Sequence, residues 1–225
     1  MKPVCIIPAR SGSKRIKNKN IKKINGTPLI GITIKIAKKS NLFSDIVVST
    51  DSKKIGKIAS HFGASVPFLR KKGLSDDFTP SHLVIKDSVK KLNITNSNFA
   101  FCIYPSSILL QVDDLRKGFK KIVKQKSDFI CCIKKYIHNP QRSFRIKKNK
   151  IFFEKPFFQN KRSQDLEKLY YDTGLFYIYR IRRLLKMSKR EVIPKNSTYM
   201  ILDRKLTDLN TPEDFKRLKE QFLKK

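Results

Sequence analysis

Apolar residues fall along this chain in two rhythms. Short unbroken runs, Val4–Ile7, Asp45–Thr50 and Phe99–Tyr104, have the length and composition of strands buried on both faces. Between them apolar positions recur at helical spacing: Ile55, Ile58, Ala59 and Phe62 over residues 52–62, then Ile85, Val89 and Leu92, then Leu115, Phe119, Ile122 and Val123 over residues 111–125. Asn25-Gly26 marks a turn, and Thr27-Pro28 reads as the cap and first position of an earlier helix. Ala64–Phe68 reads as a further short strand. Thr211, Pro212 and Asp214 open a last helix within Leu206–Lys225, with Phe215, Leu218, Phe222 and Leu223 as its buried positions. Strand and helix alternate from residue 3 to about 133, which predicts an α/β fold: a Rossmann-like, mostly parallel sheet with helices on both faces. No repeat or low-complexity linker interrupts it, so residues 1–225 read as a single domain.

Beyond Ile133 the pattern changes. The stretch KKYIHNPQRSFRIKKNKIFFEKPFF sets aromatic residues between short charged turns, predicting a small antiparallel arm inserted at about 134–160. Such an arm suits an interface. Basic residues interleaved with aromatics also suit a platform for single-stranded RNA.

Composition narrows the classes. With 225 residues and 40% hydrophobic content the chain can bury a sizeable core. No apolar run approaches the roughly 18 residues of a membrane span, and the first apolar stretch is too short for a signal peptide, so a cytoplasmic protein without a membrane partner is expected. Cys5, Cys102, Cys131 and Cys132 sit in strand-like runs without metal-binding spacing and read as buried free thiols. In the cytoplasm the Asn196-Ser197-Thr198 sequon carries no glycan. His61, His82 and His138 are isolated and form no HExxH-like site.

The formal net charge is +33. The excess is 38 Lys against 13 Arg, spread along the chain, with Asn, Ile and Phe also abundant. That is the signature of an AT-rich coding sequence, and a nucleic-acid partner is not expected from it. The charge should still steer anionic substrates, an effect that salt weakens.

The chemistry concentrates at the first strand. Pro8 ends it, and Ala9-Arg10-Ser11-Gly12-Ser13-Lys14-Arg15 follows, a loop of small and basic residues at the carboxyl end of a strand, where open α/β sheets bind ligands. Neither GxxxxGK[ST] nor GxGxxG is present. On residue chemistry alone the loop reads either as a triphosphate cradle or as a basic surface loop.

The full string IPARSGSKRIKNKN resembles the opening signature, roughly IPARxGSKxxxxKN, of the cytidylyltransferases that activate nonulosonic acids, the sialic acid-like sugars. The resemblance extends over nearly the whole chain. It implies the fold of nucleotide-diphospho-sugar transferases, with the arm as a homodimer contact that lends residues to the partner's site. In that family the opening loop wraps CTP, which assigns Arg10, Ser11, Gly12, Ser13 and Lys14 to the triphosphate and Asn20 to the cytosine. Arg70 and Asp77, in RKKGLSDDFTP, fall at positions comparable to the family's RPxxLAxD element, and Arg70 is assigned to the base. After the central strand most sialic acid enzymes show QPTSPL; Tyr104-Pro105-Ser106-Ser107 is nearer the pseudaminic acid branch. The stretch NKRSQDLEKLYYDTGLFY is likewise similar to that branch. It implies Arg162 for the sugar carboxylate and Gln164, Asp165, Tyr171 and Asp172 for hydroxyl and acylamino groups. Read alone, the same stretch is an ordinary loop entering a strand.

Near the end the family carries an Asp-x-Asp pair for magnesium. Here it is Asp208-Leu209-Asn210, so Asp208 is the implied ligand, and Asn210 supplies a neutral oxygen with weaker expected affinity. Without the resemblance Asp208 is a residue preceding a helix cap. The implied reaction is transfer of CMP from CTP to the anomeric hydroxyl of a nonulosonic acid, best matched by pseudaminic acid, with Arg10, Lys14 and Asp208 catalytic. N-acetylneuraminic, legionaminic and 3-deoxy-manno-octulosonic acid are the alternative acceptors, and an RNA-binding protein on a degenerate transferase scaffold is the alternative class.

Overall fold

A computed structural model describes residues 2–94 and 97–224. Its elements in chain order are β1 (Val4–Pro8), β2 (Lys23–Ile24), β3 (Thr27–Pro28), α1 (Leu29–Lys39), β4 (Ile46–Ser49), α2 (Lys53–His61), α3 (Ser81–Lys91), β5 (Phe99–Ile103), α4 (Val112–Lys124), β6 (Phe129–Lys135), β7 (Phe144–Lys147), β8 (Lys150–Phe153), β9 (Tyr170–Arg180), α5 (Ile181–Leu184), β10 (Ser197–Ile201) and α6 (Pro212–Leu223).

Six strands form the main sheet in the order β10-β6-β9-β5-β1-β4. β1 pairs in parallel with β4 and β5, and β10 pairs in parallel with β6. β9 runs antiparallel between β5 and β6. Five of the six strands therefore point one way, which is the mostly parallel α/β sheet read from the alternation.

Alternation within β1 assigns the two faces. Cys5 and Ile7 join Ile30 and Ile34 of α1, Ile55 and Ala59 of α2, and Leu115 and Ile122 of α4. Val4 and Ile6 join Ile85 and Val89 of α3 and Ile181 and Leu184 of α5. At the end of α1 that carries Leu29, α6 closes a third cluster through Leu218, with Ile16, Ile108 and Leu209.

Several expectations need correction. Thr27-Pro28 does not open a helix: Asn25 and Gly26, at φ 46° and 76°, make a two-residue turn that pairs β2 with β3. Pro28 is then the extended residue before α1, with no side-chain cap. Ala64–Phe68 is not a strand. Only Ser65 and Leu69 bridge to the β4 edge, at Val47 and Thr50, because Pro67 has no N–H to continue a ladder. Val123 and Leu223 are exposed, one position past the buried stripe of α4 and in the last turn of α6. Lys225, the expected end of that last helical segment, lies outside the described residues.

The expected antiparallel arm is a hairpin of β7 and β8 turning at Lys148-Asn149, both at positive φ. Its two strands are almost wholly exposed.

Candidate active site

The parallel strands β1 and β5 end beside one another, and their carboxyl ends open into a cavity of roughly 600 Å³. Its walls are the loop after β1, the segment 70–81, the turn after β5, Gly174 on β9 and the stretch preceding α6.

Local hydrogen bonds shape the first loop. Ser11 bonds the Asp51 carboxylate through both its backbone N–H and its hydroxyl, each at 2.8 Å, which anchors the loop to the end of β4. Asn20, buried, donates from its amide to the Arg10 carbonyl at 2.8 Å. Held from both sides, the loop turns Arg10, Ser13, Lys14 and Arg15 to the cavity. Ser11 and Gly12 stay on its outer side and do not line it.

Across the cavity Asp77 accepts from Arg10 and from Lys14, the latter at 2.9 Å. Those two cations, Lys14 first, hold its carboxyl below the usual range. Lys19 reaches the cavity from behind, donating to the Leu209 carbonyl at 2.9 Å. Burial lowers its ammonium pKa, against the opposing pull of Asp208.

Arg70 is the most telling side chain. It is only 6% exposed and lines the cavity, yet its Nε and Nη2 have no hydrogen-bond partner among the described residues. Burial lowers its pKa and Asp51 opposes that shift. A buried guanidinium left with unmatched donors costs free energy that an incoming acceptor would recover.

On the far wall Asp208 and Asn210 both line the cavity. Asn210 donates its amide to Asp208 Oδ2 at 2.6 Å, while its carbonyl oxygen accepts from Arg15. Among the described residues no group of three or more His, Cys, Asp or Glu side chains could hold a metal ion. Asp208 alone fits a magnesium ion that draws its remaining ligands from substrate phosphates and water, the usual habit of that ion. The Asn210 oxygen is already engaged by the Arg15 guanidinium.

The structure thus gathers Arg10, Ser13, Lys14, Asn20, Arg70, Asp208 and Asn210 at one cavity. It does not bring the second group there. Arg162 and Asp165 pair with each other at 2.7 Å beside Gln164 on an exposed turn, Ser163–Asp165. The Tyr171 ring packs against Tyr136, and Asp172 is bonded to Tyr177 and to the Gly174 N–H. Sequence reasoning counted Arg15 in the phosphate loop without a role of its own and missed Lys19 and Ser81 as cavity residues; the available signal for Lys19 was its place in the KN pair beside Asn20.

Comparison with known proteins places this architecture. Residues 4–221 match the family model described as cytidylyltransferase. The chain is 36% identical over 220 residues to a pseudaminic acid cytidylyltransferase of Campylobacter jejuni, covering 95% of this chain and 93% of the other. It is 31% identical to an N-acylneuraminate cytidylyltransferase of Streptococcus agalactiae, covering 96% of this chain and 52% of that protein. In three dimensions it resembles a CMP:2-keto-3-deoxy-manno-octonic acid synthetase solved with CTP, at TM-score 0.75 and 14% identity, covering 100% of this chain and 99% of that one. The mixed six-stranded sheet, the cationic cavity at its carboxyl edge and these matches agree: the chain belongs to the cytidylyltransferase family.

Proposed function

We propose that this protein transfers CMP from CTP to the anomeric hydroxyl of a nonulosonic acid, pseudaminic acid being the preferred acceptor, and releases pyrophosphate. The observation that carries the reading is the buried Arg70 guanidinium with unmatched donors, in a cavity also lined by Arg10, Lys14, Arg15 and Lys19. Such a cavity is built for a polyanion carrying a polar base. The relatives' shared chemistry makes that ligand CTP.

In the reaction the sugar oxygen bonds to the α-phosphorus as the bond from that phosphorus to the bridging oxygen breaks. Arg10 and Lys14, with Ser13, hold the β- and γ-phosphates and neutralise the charge that gathers on pyrophosphate. Arg70 and Asn20 face the base. Asp208 would hold magnesium together with phosphate oxygens; when bound, the ion supplies Lewis acidity at the α-phosphate. Arg15, tied to Asn210, adds a fixed cation on that side. Positioning and electrostatics carry the rate. Arg162, Gln164, Asp165, Tyr171 and Asp172 are proposed for the sugar end. They lie outside the cavity, on or beside the segment that follows the hairpin.

The same reading gives the hairpin a role. Phe144, Ile146, Ile151 and Phe152 are exposed on β7 and β8, and a second copy of the chain is their proposed cover in a homodimer. A cytoplasmic location fits the reaction, whose nucleotide is made there.

The decisive assay measures pyrophosphate release with CTP, magnesium and a panel of nonulosonic acids. Release is expected with CTP and greatest with pseudaminic acid. No release with any pairing would overturn the assignment.

A further inference from the structure

Asp77 stands where the proposed phosphates go. Each of its carboxylate oxygens takes one cation of the opening loop: Oδ1 accepts from Arg10 Nη2, and Oδ2 pairs with Lys14 Nζ at 2.9 Å. Among the described residues these two cations are its only side-chain partners. Two oxygens on one carbon that bridge an arginine and a lysine reproduce what a phosphate does between the same cations.

The pairing does little for the fold. The backbone of the opening loop is already anchored by Ser11 on Asp51 and by Asn20 on the Arg10 carbonyl. The segment that carries Asp77 has its own ties. The Arg70 N–H donates to the Thr50 carbonyl at 2.7 Å, and the Asp76 carboxylate accepts from the Phe78 and Thr79 N–H groups at 2.9 and 2.6 Å. The side chain of Asp77 is 28% exposed and that of Lys14 82%, so packing locks neither end. Ion pairs this open contribute little to stability, and another anion can replace either partner.

What the pairing does is occupy. Arg10 and Lys14 have further N–H donors, but a phosphate that joined the carboxylate on them would set like charges side by side. Triphosphate therefore binds by displacing Asp77, and the Asp77 pairs re-form as pyrophosphate leaves.

We propose that Asp77 is a competing carboxylate: it fills the subsite for the β- and γ-phosphates in the empty enzyme, weakens CTP binding by the strength of its two pairs, and re-enters as pyrophosphate departs. The proposal rests on the reading of Arg10 and Lys14 as the phosphate cations. A competitor built into a site lowers by one common factor the affinity of every ligand that needs those cations. It leaves untouched a ligand that does not reach them. CTP and pyrophosphate are of the first kind; CMP, which lacks the β- and γ-phosphates, is of the second.

The test is titration calorimetry on the full-length protein at fixed salt and magnesium, with CTP, pyrophosphate and CMP as ligands. In Asp77→Asn the Kd for CTP and for pyrophosphate should each fall about tenfold, the strength of two exposed ion pairs, while the Kd for CMP holds. In turnover, pyrophosphate should inhibit this variant at about a tenfold lower concentration. Asp77→Glu, which keeps the charge, should show no such gain. Thermal melting of each variant separates these effects from a loss of folding. An equal gain for CMP would reduce Asp77 to a general charge effect, and weaker binding of CTP would make it a scaffold for Arg10; either result overturns the competing role. If Lys14→Ala weakens pyrophosphate binding while Asp77→Asn leaves it unchanged, the cavity reading stands and the competition is overturned. If Lys14→Ala leaves pyrophosphate binding intact, these cations do not hold phosphate, and the proposal falls with that reading.

Discussion

Lys14 shows what a single side chain contributes here. Its side chain is 82% exposed and touches Asp77, so it supports little of the fold. Lys14→Ala should lower pyrophosphate release from CTP by about a hundredfold, the usual cost of one transition-state donor, and leave thermal melting unchanged. Unchanged release would remove it from the site. Lys19 differs because it is half-buried and burial lowers its pKa. Its charge is lost at a lower pH than that of an exposed lysine, so kcat/KM for CTP should fall on the alkaline side as the ammonium deprotonates. Lys19→Arg, charged throughout, should move that limb to higher pH in a pH–rate profile. At position 210 the carbonyl oxygen is held by Arg15, and Asn210→Asp would add a charge beside Asp208. Half-saturation by magnesium should come at a lower concentration in that variant; an unaltered titration would mean that position 210 never faces the ion. The phosphate cations were legible because Arg10 to Lys14 are contiguous and follow a strand. Lys19 and Ser81 were not, because only tertiary folding brings them to the cavity. That Arg162 and Asp165 neutralise each other on an exposed turn was equally invisible, since i,i+3 pairing depends on the turn the backbone adopts.

Among elements, helices read best. The stripes on α2, α3 and α4, Val123 apart, lie where 3.6-residue spacing puts them, and α6 begins at its capping box. There the Thr211 hydroxyl accepts from the Asp214 N–H, and Asp214 accepts from the Thr211 N–H. Asp214 also accepts from the Asn210 N–H at 3.1 Å, so the cap fixes the backbone beside Asp208. Thr211→Ala should cost about 1 kcal/mol of stability, measured by denaturant unfolding. It should also raise the magnesium requirement, because the loosened backbone carries the metal-side residues. Misread elements share one cause, a local signal outweighed by a stronger one nearby. The Asn25-Gly26 turn won Thr27-Pro28 for a hairpin, and Pro67 left residues 64–68 with isolated bridges in place of a ladder.

For the whole molecule, the sheet was legible from alternation, but the direction of β9 was not. A strand's sequence fixes which residues face in, not which neighbour it pairs with. The charge of +33 belongs to this scale too. Spread as it is, it should draw CTP by long-range attraction, so KM for CTP should rise several-fold from low salt to about 0.5 M. A flat response would confine the useful charge to the cavity. No helix among the described residues is long and apolar enough to cross a membrane.

The place of β9 has its own consequence for how the molecule comes into being. Among the described residues it is the one strand of the main sheet laid against the grain, and it fills the gap between β5 and β6, whose sequences are both finished long before it. A nascent chain that has not yet made residues 170–180 carries a half-built sheet of β4, β1 and β5 and an unpaired β6, each with a raw flank ready to recruit another chain. Successful synthesis therefore depends on a late arrival acting as keystone.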